Sequence, residues 1–287
     1  METLLLTDEE VKTLISIGEV MEAVEKAFAE KSLGRVQMPV KTYLFYNKYN
    51  GDLRVMPSYL EEYDVSAVKI VNSHPENRIK YNLPTVMAVI VLVEPKTGVP
   101  LAIMSGKTIT DIRTGAAGGI ASKYLARKDS KIVGMIGAGA QAKTQLAGLL
   151  EVYKQFEEVR VWGLHGTNYE FASEMSLKYN DRCKIVAVDS VKDAVVGADI
   201  VVTTTPSRQP LVMNTMVAAG MHFNCIGADA PGKEELDPSI LKKTKIVVDD
   251  WEQACHGGEI NIPLSQGIIS KENIRGEIGE IIAGLKV

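Results

Sequence analysis

The chain opens on apolar positions at helical spacing. Thr7-Asp8-Glu9-Glu10 forms a helix start with Thr7 as cap, and Val20, Met21, Val24, Ala27 and Phe28 continue a helical period between Glu19 and Lys31. From Lys41 the texture changes to alternation and short apolar runs, at Thr42 to Tyr46, Val65 to Val71, Val86 to Val93 and Leu101 to Met104. Turn signals such as Tyr49-Asn50-Gly51 and Pro95-Lys96-Thr97-Gly98 separate them, which predicts an antiparallel sheet. After Arg113-Thr114-Gly115, the run from Ala116 to Ala126 is too long and alanine-rich for a turn. It predicts a close-packed helix joining two domains. Beyond Lys131, strand-like runs at 131–136, 158–162, 183–187, 199–204, 221–226 and 244–248 alternate with helical segments, the pattern of a parallel sheet covered on both faces. Glu277 to Leu285 predicts a last helix, weakened by Gly279 and Gly284.

One junction sharpens this outline. Lys131 to Gln141, KIVGMIGAGAQ, is an apolar strand emptying into Gly137-Ala138-Gly139 and then a helix. Gly137 permits the tight turn, Gly139 lets the backbone approach a pyrophosphate, and Ala142 stands at the small third position. Gln145, Leu146, Leu149 and Leu150 continue the helix, and Val159 to Trp162 supply the next strand. The expected fold is therefore α/β: a Rossmann-type doubly wound parallel sheet over 116–287, preceded by an α+β domain over 1–115.

At 287 residues, 46% hydrophobic and 24% charged, the chain can bury two cores, and its net charge of −4 with no basic stripe argues against nucleic acid or an anionic membrane as partner. The acidic start METLLLTDEEVK lacks the positive region of a signal peptide, and no apolar run approaches a membrane span, so a cytoplasmic protein is expected. Cys183, Cys225 and Cys255 are odd in number and far apart, which predicts reduced thiols. His74, His165, His222 and His256 show no metal-ligand spacing, and no metal is expected.

Few residues carry candidate chemistry. Lys69 interrupts an apolar strand, V-S-A-V-K-I-V, where a buried ammonium is expensive unless paired or used; the alternative is an edge-strand lysine with its tip in water. Arg54 and Arg113 each follow an apolar residue at an expected strand end, where either could fork a carboxylate or form a surface ion pair. Asp229 follows the strand M-H-F-N-C-I-G, at the carboxyl end where ligands of open α/β sheets bind, although D-A-P-G also suits an Asx turn. Thr203-Thr204-Thr205 ends the preceding strand in the same layer, with hydroxyls that could line a cofactor cleft. His256-Gly257-Gly258-Glu259 has no second ligand or nucleophile and is taken as a helix stop.

The motifs R-V-M-P (54–57), K-I-V-N-S-H-P (69–75), L-P-T-V-M-A (83–88), R-T-G-A-A-G-G (113–119), I-G-A-G-A-Q (136–141), T-T-T-P-S-R (203–208), I-G-A-D-A-P-G-K-E-E-L-D (226–237) and H-G-G-E-I-N (256–261) together resemble the ornithine cyclodeaminase and mu-crystallin family over almost the whole length. Within it, R-T-G-A-A-G-G and L-P-T-V-M-A are most similar to the archaeal-type alanine dehydrogenase branch. The resemblance implies a homodimer in which the first domain binds substrate and pairs across the dimer, while the second binds a nicotinamide cofactor. It assigns the substrate carboxylate to Arg54 and Arg113, and catalysis to Lys69 and Asp229. Cofactor contacts fall to Thr114, Gly137, Ala138, Gly139, Ala140, Gln141, Thr203, Thr204, Thr205 and Gly227. The implied reaction is NAD-dependent, reversible oxidative deamination of L-alanine to pyruvate and ammonium. The alternatives are ornithine cyclodeamination to proline, NADPH-dependent ketimine reduction, or a non-catalytic mu-crystallin-like binding role. Two departures bear on this. Gly163 stands where a ribose-binding acid is expected, with no arginine following for a 2′-phosphate, so NADP stays open beside NAD. The family's further C-terminal strand and helix, which help close the nicotinamide site, have no counterpart before Val287, which predicts an open pocket.

Overall fold

The computed structural model describes residues 2–287 and divides into two compact units, one running to Arg113 and the other Thr114–Val287. The first contains β1 (Leu4–Leu6), α1 (Asp8–Leu14), α2 (Ile17–Ser32), β2 (Val36–Gln37), β3 (Thr42–Tyr46), β4 (Gly51–Leu60), β5 (Val65–Ser73), α3 (Asn77–Lys80), β6 (Val86–Val93), β7 (Pro100–Ser105) and the start of α4 (Lys107–Leu125). Reciprocal capping boxes, Thr7 with Glu10 and Ser16 with Glu19, begin α1 and α2, because Ser or Thr three residues before Glu satisfies orphan amides in both directions.

The seven-stranded sheet runs β1-β7-β6-β5-β4-β2, with β3 also on β4. It is mixed rather than purely antiparallel, since β1 pairs in parallel with β7. No hairpin joins those two strands, so no turn forces them to oppose. β4 has no counterpart among the expected strands, and Pro57 in its middle explains why. The proline falls opposite the gap between β3, which ends its pairing at Val55, and β2, which begins at Tyr59. β5 lies between β4 and β6, so Lys69 sits on a central strand and not on an edge.

The second unit continues with β8 (Ile132–Ile136), α5 (Ala140–Tyr153), β9 (Glu158–Trp162), α6 (Thr167–Tyr179), β10 (Lys184–Ala187), α7 (Val191–Val195), β11 (Ile200–Thr203), β12 (Arg208–Val212), β13 (His222–Cys225), β14 (Glu234–Leu236), α8 (Pro238–Leu241), β15 (Ile246–Val248), α9 (Trp251–Gly257), α10 (Asn261–Ser265), β16 (Ile274–Glu277) and α11 (Ile278–Ile282). A five-stranded parallel sheet has the order β10-β9-β8-β11-β13, which places the switch in strand order between β8 and β11. Alternation along β11 sends Ile200 and Val202 into one core with Leu146, Leu149 and Phe171, and Val201 into the other with Ala194 and Ile240. Both faces are therefore dry, and each fully buried leucine contributes about 2 kcal/mol of apolar burial.

The expected strand near 244–248 does form, but β15 pairs with β16 in a separate two-stranded sheet. α8 has four residues, too few for a crossover back over the large sheet. α11 has five residues and stops before Gly284, which adopts φ 71°. The glycines of α4 permit close packing on α5, where Gln145 Nε2 donates to the Thr114 carbonyl at 2.8 Å, and β13 also holds α4, Asn224 Nδ2 donating to the Gly118 carbonyl and Ser122 Oγ, each at 3.0 Å. Cys183, Cys225 and Cys255 are free thiols. Among the described residues, no helix is long and apolar enough to cross a membrane.

Candidate active site

The β8–α5 junction carries the anion-binding geometry. Gly137 adopts φ 104°, which an L side chain rarely tolerates, and a Cβ there would lie 2.6 Å from Thr204 Oγ1. Gly139 is the N-cap of α5, no side chain caps that helix, and a Cβ built on it would meet nothing within 4 Å. Open space above Gly139, fourteen residues of aligned dipoles and no acid in the first turn suit a pyrophosphate. The residues thus fit a dinucleotide, and Ala138, Ala140 and Gln141 complete the turn. After β9, a Cβ at Gly163 would lie 2.5 Å from Thr167 Oγ1 and 3.0 Å from that of Ala138. A ribose-binding acid at this position would have to displace Thr167 Oγ1, which accounts for the glycine.

At the carboxyl end of the sheet, the threonine hydroxyls turn inward. Thr203 is fully buried, Thr204 Oγ1 donates to the Ile136 carbonyl at 3.3 Å, and Thr205 Oγ1 donates to Glu235 Oε1 at 2.6 Å. Asp229 lies four residues beyond β13 in a loop that exposes it, with its amide on the Gly227 carbonyl at 2.9 Å and its carboxylate paired with Lys233. Asn261 holds that loop: Oδ1 accepts from the Gly232 amide at 3.1 Å, and Nδ2 donates to the Lys233 carbonyl at 3.0 Å. Glu259 Oε1 accepts from the amides of Glu235 and Leu236 at 2.9 and 2.6 Å. Burial pushes the Glu259 carboxyl up to about 8, with those amides opposing and the charges of Glu235 and Glu234 adding. His256-Gly257-Gly258-Glu259-Ile260-Asn261 is thus more than a helix stop, since it braces the Asp229 loop.

The first unit gathers cations. Burial on β5 pulls Lys69 down to about 7, and the charges of Arg113, Lys41 and Arg54 push the same way. Asp52 grips the Arg54 guanidinium by Nε and Nη2 at 2.7 and 3.0 Å, and the Tyr43 ring stacks 5.6 Å from it, which fixes its orientation. Neither arginine stands at a strand end as expected. Arg54 is inside β4, and Arg113 is on α4, which begins at Lys107 and not near Ala116. Lys41 escaped sequence reasoning because only the folded sheet reveals its company. Lys233, Glu235 and Asn261 were legible as motif letters, but nothing in their spacing distinguished them from loop polarity.

The sequence model of the ornithine cyclodeaminase/mu-crystallin family matches residues 1–287. The chain is 52% identical to alanine dehydrogenase of Archaeoglobus fulgidus over 287 residues, covering 100% of this chain and 86% of that protein. Among solved structures, an archaeal alanine dehydrogenase dimer with bound NAD superimposes with a TM-score of 0.92 at 50% identity, covering 100% of this chain and 86% of the other. The Δ1-pyrroline-2-carboxylate reductase of Thermococcus litoralis, in complex with NADH and L-proline, gives 0.94 at 43% identity, covering 99% and 87%.

Proposed function

The chain belongs to the ornithine cyclodeaminase/mu-crystallin family, and we propose that it is an NAD-dependent amino-acid dehydrogenase converting L-alanine, NAD and water reversibly into pyruvate, ammonium, NADH and a proton. The observation that carries this reading is the half-buried Lys69 on a central strand in the field of Arg113, Lys41 and Arg54, a cationic setting suited to a small amino-acid carboxylate. Its likeness to the Archaeoglobus alanine dehydrogenase supplies the substrate. Held at the Gly137–Gln141 turn with Thr114, NAD would supply the hydride acceptor, whereas the hydroxyls of Thr204 and Thr205, turned inward onto the Ile136 carbonyl and Glu235, are taken up within the fold rather than offered to the cofactor.

The protein's own residues do the rest. Arg54 and Arg113, with Lys41 beside them, hold the substrate carboxylate and so fix the α-carbon for reaction. Lys69, with its proton held loosely near neutral pH, serves the reacting amino and keto group. Asp229 takes the proton from the water that displaces ammonia, and Lys233 holds its carboxylate. A homodimer in the cytoplasm belongs to the same reading, supported by the dimeric archaeal structure.

The test is NADH absorbance with NAD and L-alanine, and its reversal with pyruvate, ammonium and NADH. Asp229→Ala is expected to abolish turnover while retaining NADH binding; a near-normal rate in that variant removes Asp229 from the mechanism. A second reading, reduction of Δ1-pyrroline-2-carboxylate to L-proline, is favoured by the similarity to the Thermococcus reductase. NADH consumption with the cyclic imine, and none with pyruvate and ammonium, selects it.

A further inference from the structure

In a parallel sheet, chains leaving neighbouring strands diverge and open a ligand crevice at the switch in strand order, here between β8 and β11, so the exit of β11 borders that crevice. β11 and β13 leave this sheet side by side, paired up to Thr203 and Cys225. Their exits do not diverge at once. The amides of Ile226 and Gly227 both bond to the Thr203 carbonyl, at 2.9 and 3.0 Å, and a Cβ at Gly227 would lie 2.3 Å from the Thr205 carbonyl oxygen.

One carboxylate joins the two exits. Glu235 is fully buried on β14; its Oε1 accepts from the Thr205 amide at 2.7 Å and the Thr205 hydroxyl at 2.6 Å, and its Oε2 accepts from the Gly227 amide at 3.0 Å. Burying a carboxylate is costly, and three charge-assisted hydrogen bonds converging on it are the usual compensation. The Glu235 backbone is held in turn, by Glu259 at its amide and by the parallel pairing of β14 with β12. The Asp229 amide bonds to the Gly227 carbonyl, so the place of Asp229 depends on the place of Gly227.

We propose that Glu235 is a positioning residue for the reaction: its buried carboxylate fixes the spacing between the Thr205 turn and the Gly227–Asp229 turn, and thereby the placement of Asp229, without touching substrate. This rests on the reading of Asp229 as the proton-transferring group. A displacement of about 1 Å at such a group costs up to about a hundredfold in rate. Glu235→Gln keeps the volume, but it turns an amide donor towards either the Gly227 or the Thr205 amide and forces those exits apart. Thr205→Val removes one donor with little change in shape.

The experiment compares the wild type, E235Q, T205V and Asp229→Ala on whichever of L-alanine, L-ornithine or Δ1-pyrroline-2-carboxylate the wild type turns over. NADH affinity is measured by fluorescence, and amide hydrogen exchange is followed over residues 203–233. E235Q is expected to lose about tenfold or more in kcat, with KM and NADH affinity within about threefold, and to exchange the Thr205 and Gly227 amides faster. T205V is expected to show a smaller loss of the same kind. A wild-type kcat in E235Q, or equal losses in kcat and NADH affinity, overturns the proposal. If E235Q does not fold, a wild-type kcat in T205V overturns it. Full activity in Asp229→Ala refutes the Asp229 reading instead, and the exchange data then decide whether Glu235 holds the two turns. Should the wild type turn over none of the three substrates, unchanged exchange at Thr205 and Gly227 in E235Q overturns the clamp.

Discussion

Gly137 and Thr204 approach so closely that a Cβ on the glycine would lie 2.6 Å from the threonine hydroxyl oxygen, whereas a Cβ on Gly139, two residues on, would meet nothing within 4 Å. The two glycines therefore serve different purposes, and their alanine variants should separate. Gly137→Ala strains a backbone at φ 104° and pushes on β11, so stability should fall by about 1–3 kcal/mol, with cofactor affinity falling too. Gly139→Ala should melt like the wild type and yet bind NADH at least about tenfold more weakly, because the new methyl occupies the approach to the α5 amides. Thermal melts and NADH titration of both variants check this. Equal affinity in Gly139→Ala and wild type refutes a pyrophosphate at that turn.

How much of this was legible follows from where each signal lies. The turn at 137–139 was visible because positive φ and close approach demand glycine in the sequence itself. Asp229 was visible because a strand pattern ended just before it. Arg113 was misplaced for a physical reason: Lys107-Thr-Ile-Thr-Asp-Ile is rich in β-branched residues and looks extended. The residue that starts α4 is Asp8, about a hundred positions away, whose Oδ1 accepts from the Thr108 amide at 3.1 Å and Ser105 Oγ at 3.0 Å. A cap borrowed from the far end of a domain leaves no local mark. Lys41 and Glu235 were hidden likewise, since only the folded sheets bring Lys41 into the field of Lys69 and set Glu235 against the turns at Thr205 and Gly227.

That long-range cap yields a second prediction. Burial alone would raise the Asp8 carboxyl, but hydrogen bonds from Lys12, Thr108 and Ser105 hold it well below the usual carboxylate range. For a depressed acid, the stabilisation is present above the ordinary value of 3.8 and is lost as pH falls through that value towards the lower folded one. Asp8→Ala should cost about 1 kcal/mol at neutral pH, the usual loss of a helix cap, and the difference from wild type should shrink in acid. Chemical denaturation at two pH values measures it; a deficit that does not shrink in acid removes ionisation from the explanation.

Lys69 loses stability in the same pH direction as Asp8 but for the opposite reason, because here the fold disfavours the charged form. Its folded value is about 7 against an ordinary 10.5. Above 10.5 both folded and unfolded chains carry a neutral amine and nothing is lost. As pH falls from 10.5 to about 7, the unfolded chain takes up a proton that the fold resists, so the wild type loses stability across that window. Lys69→Met should therefore raise Tm at neutral pH, by about 2–4 °C for each kcal/mol recovered, while activity disappears. The gain should fade towards pH 10.5. A lower Tm throughout would mean that the ammonium is structural, and a kcat/KM profile without a bend near 7 would remove Lys69 from proton transfer.

Glu259 completes the set, since a buried acid reverses the sign seen at Asp8. Its Oε1 holds two amides of β14, while its Oε2 is buried without a hydrogen-bond partner, and the carboxyl stays protonated up to about 8 against an ordinary 4.5. Below 4.5 folded and unfolded chains are both protonated, so the group is neutral in its effect. Between 4.5 and about 8 the unfolded chain releases a proton that the fold retains, and stability falls as pH rises. Glu259→Gln keeps an oxygen for the two amides and cannot ionise. It should match the wild type in mild acid and exceed it at alkaline pH, with the denaturation midpoint losing its slope between those limits. Parallel pH dependence in the two proteins would show that Glu259 is ionised in the fold, and the brace on the Asp229 loop would then be anionic.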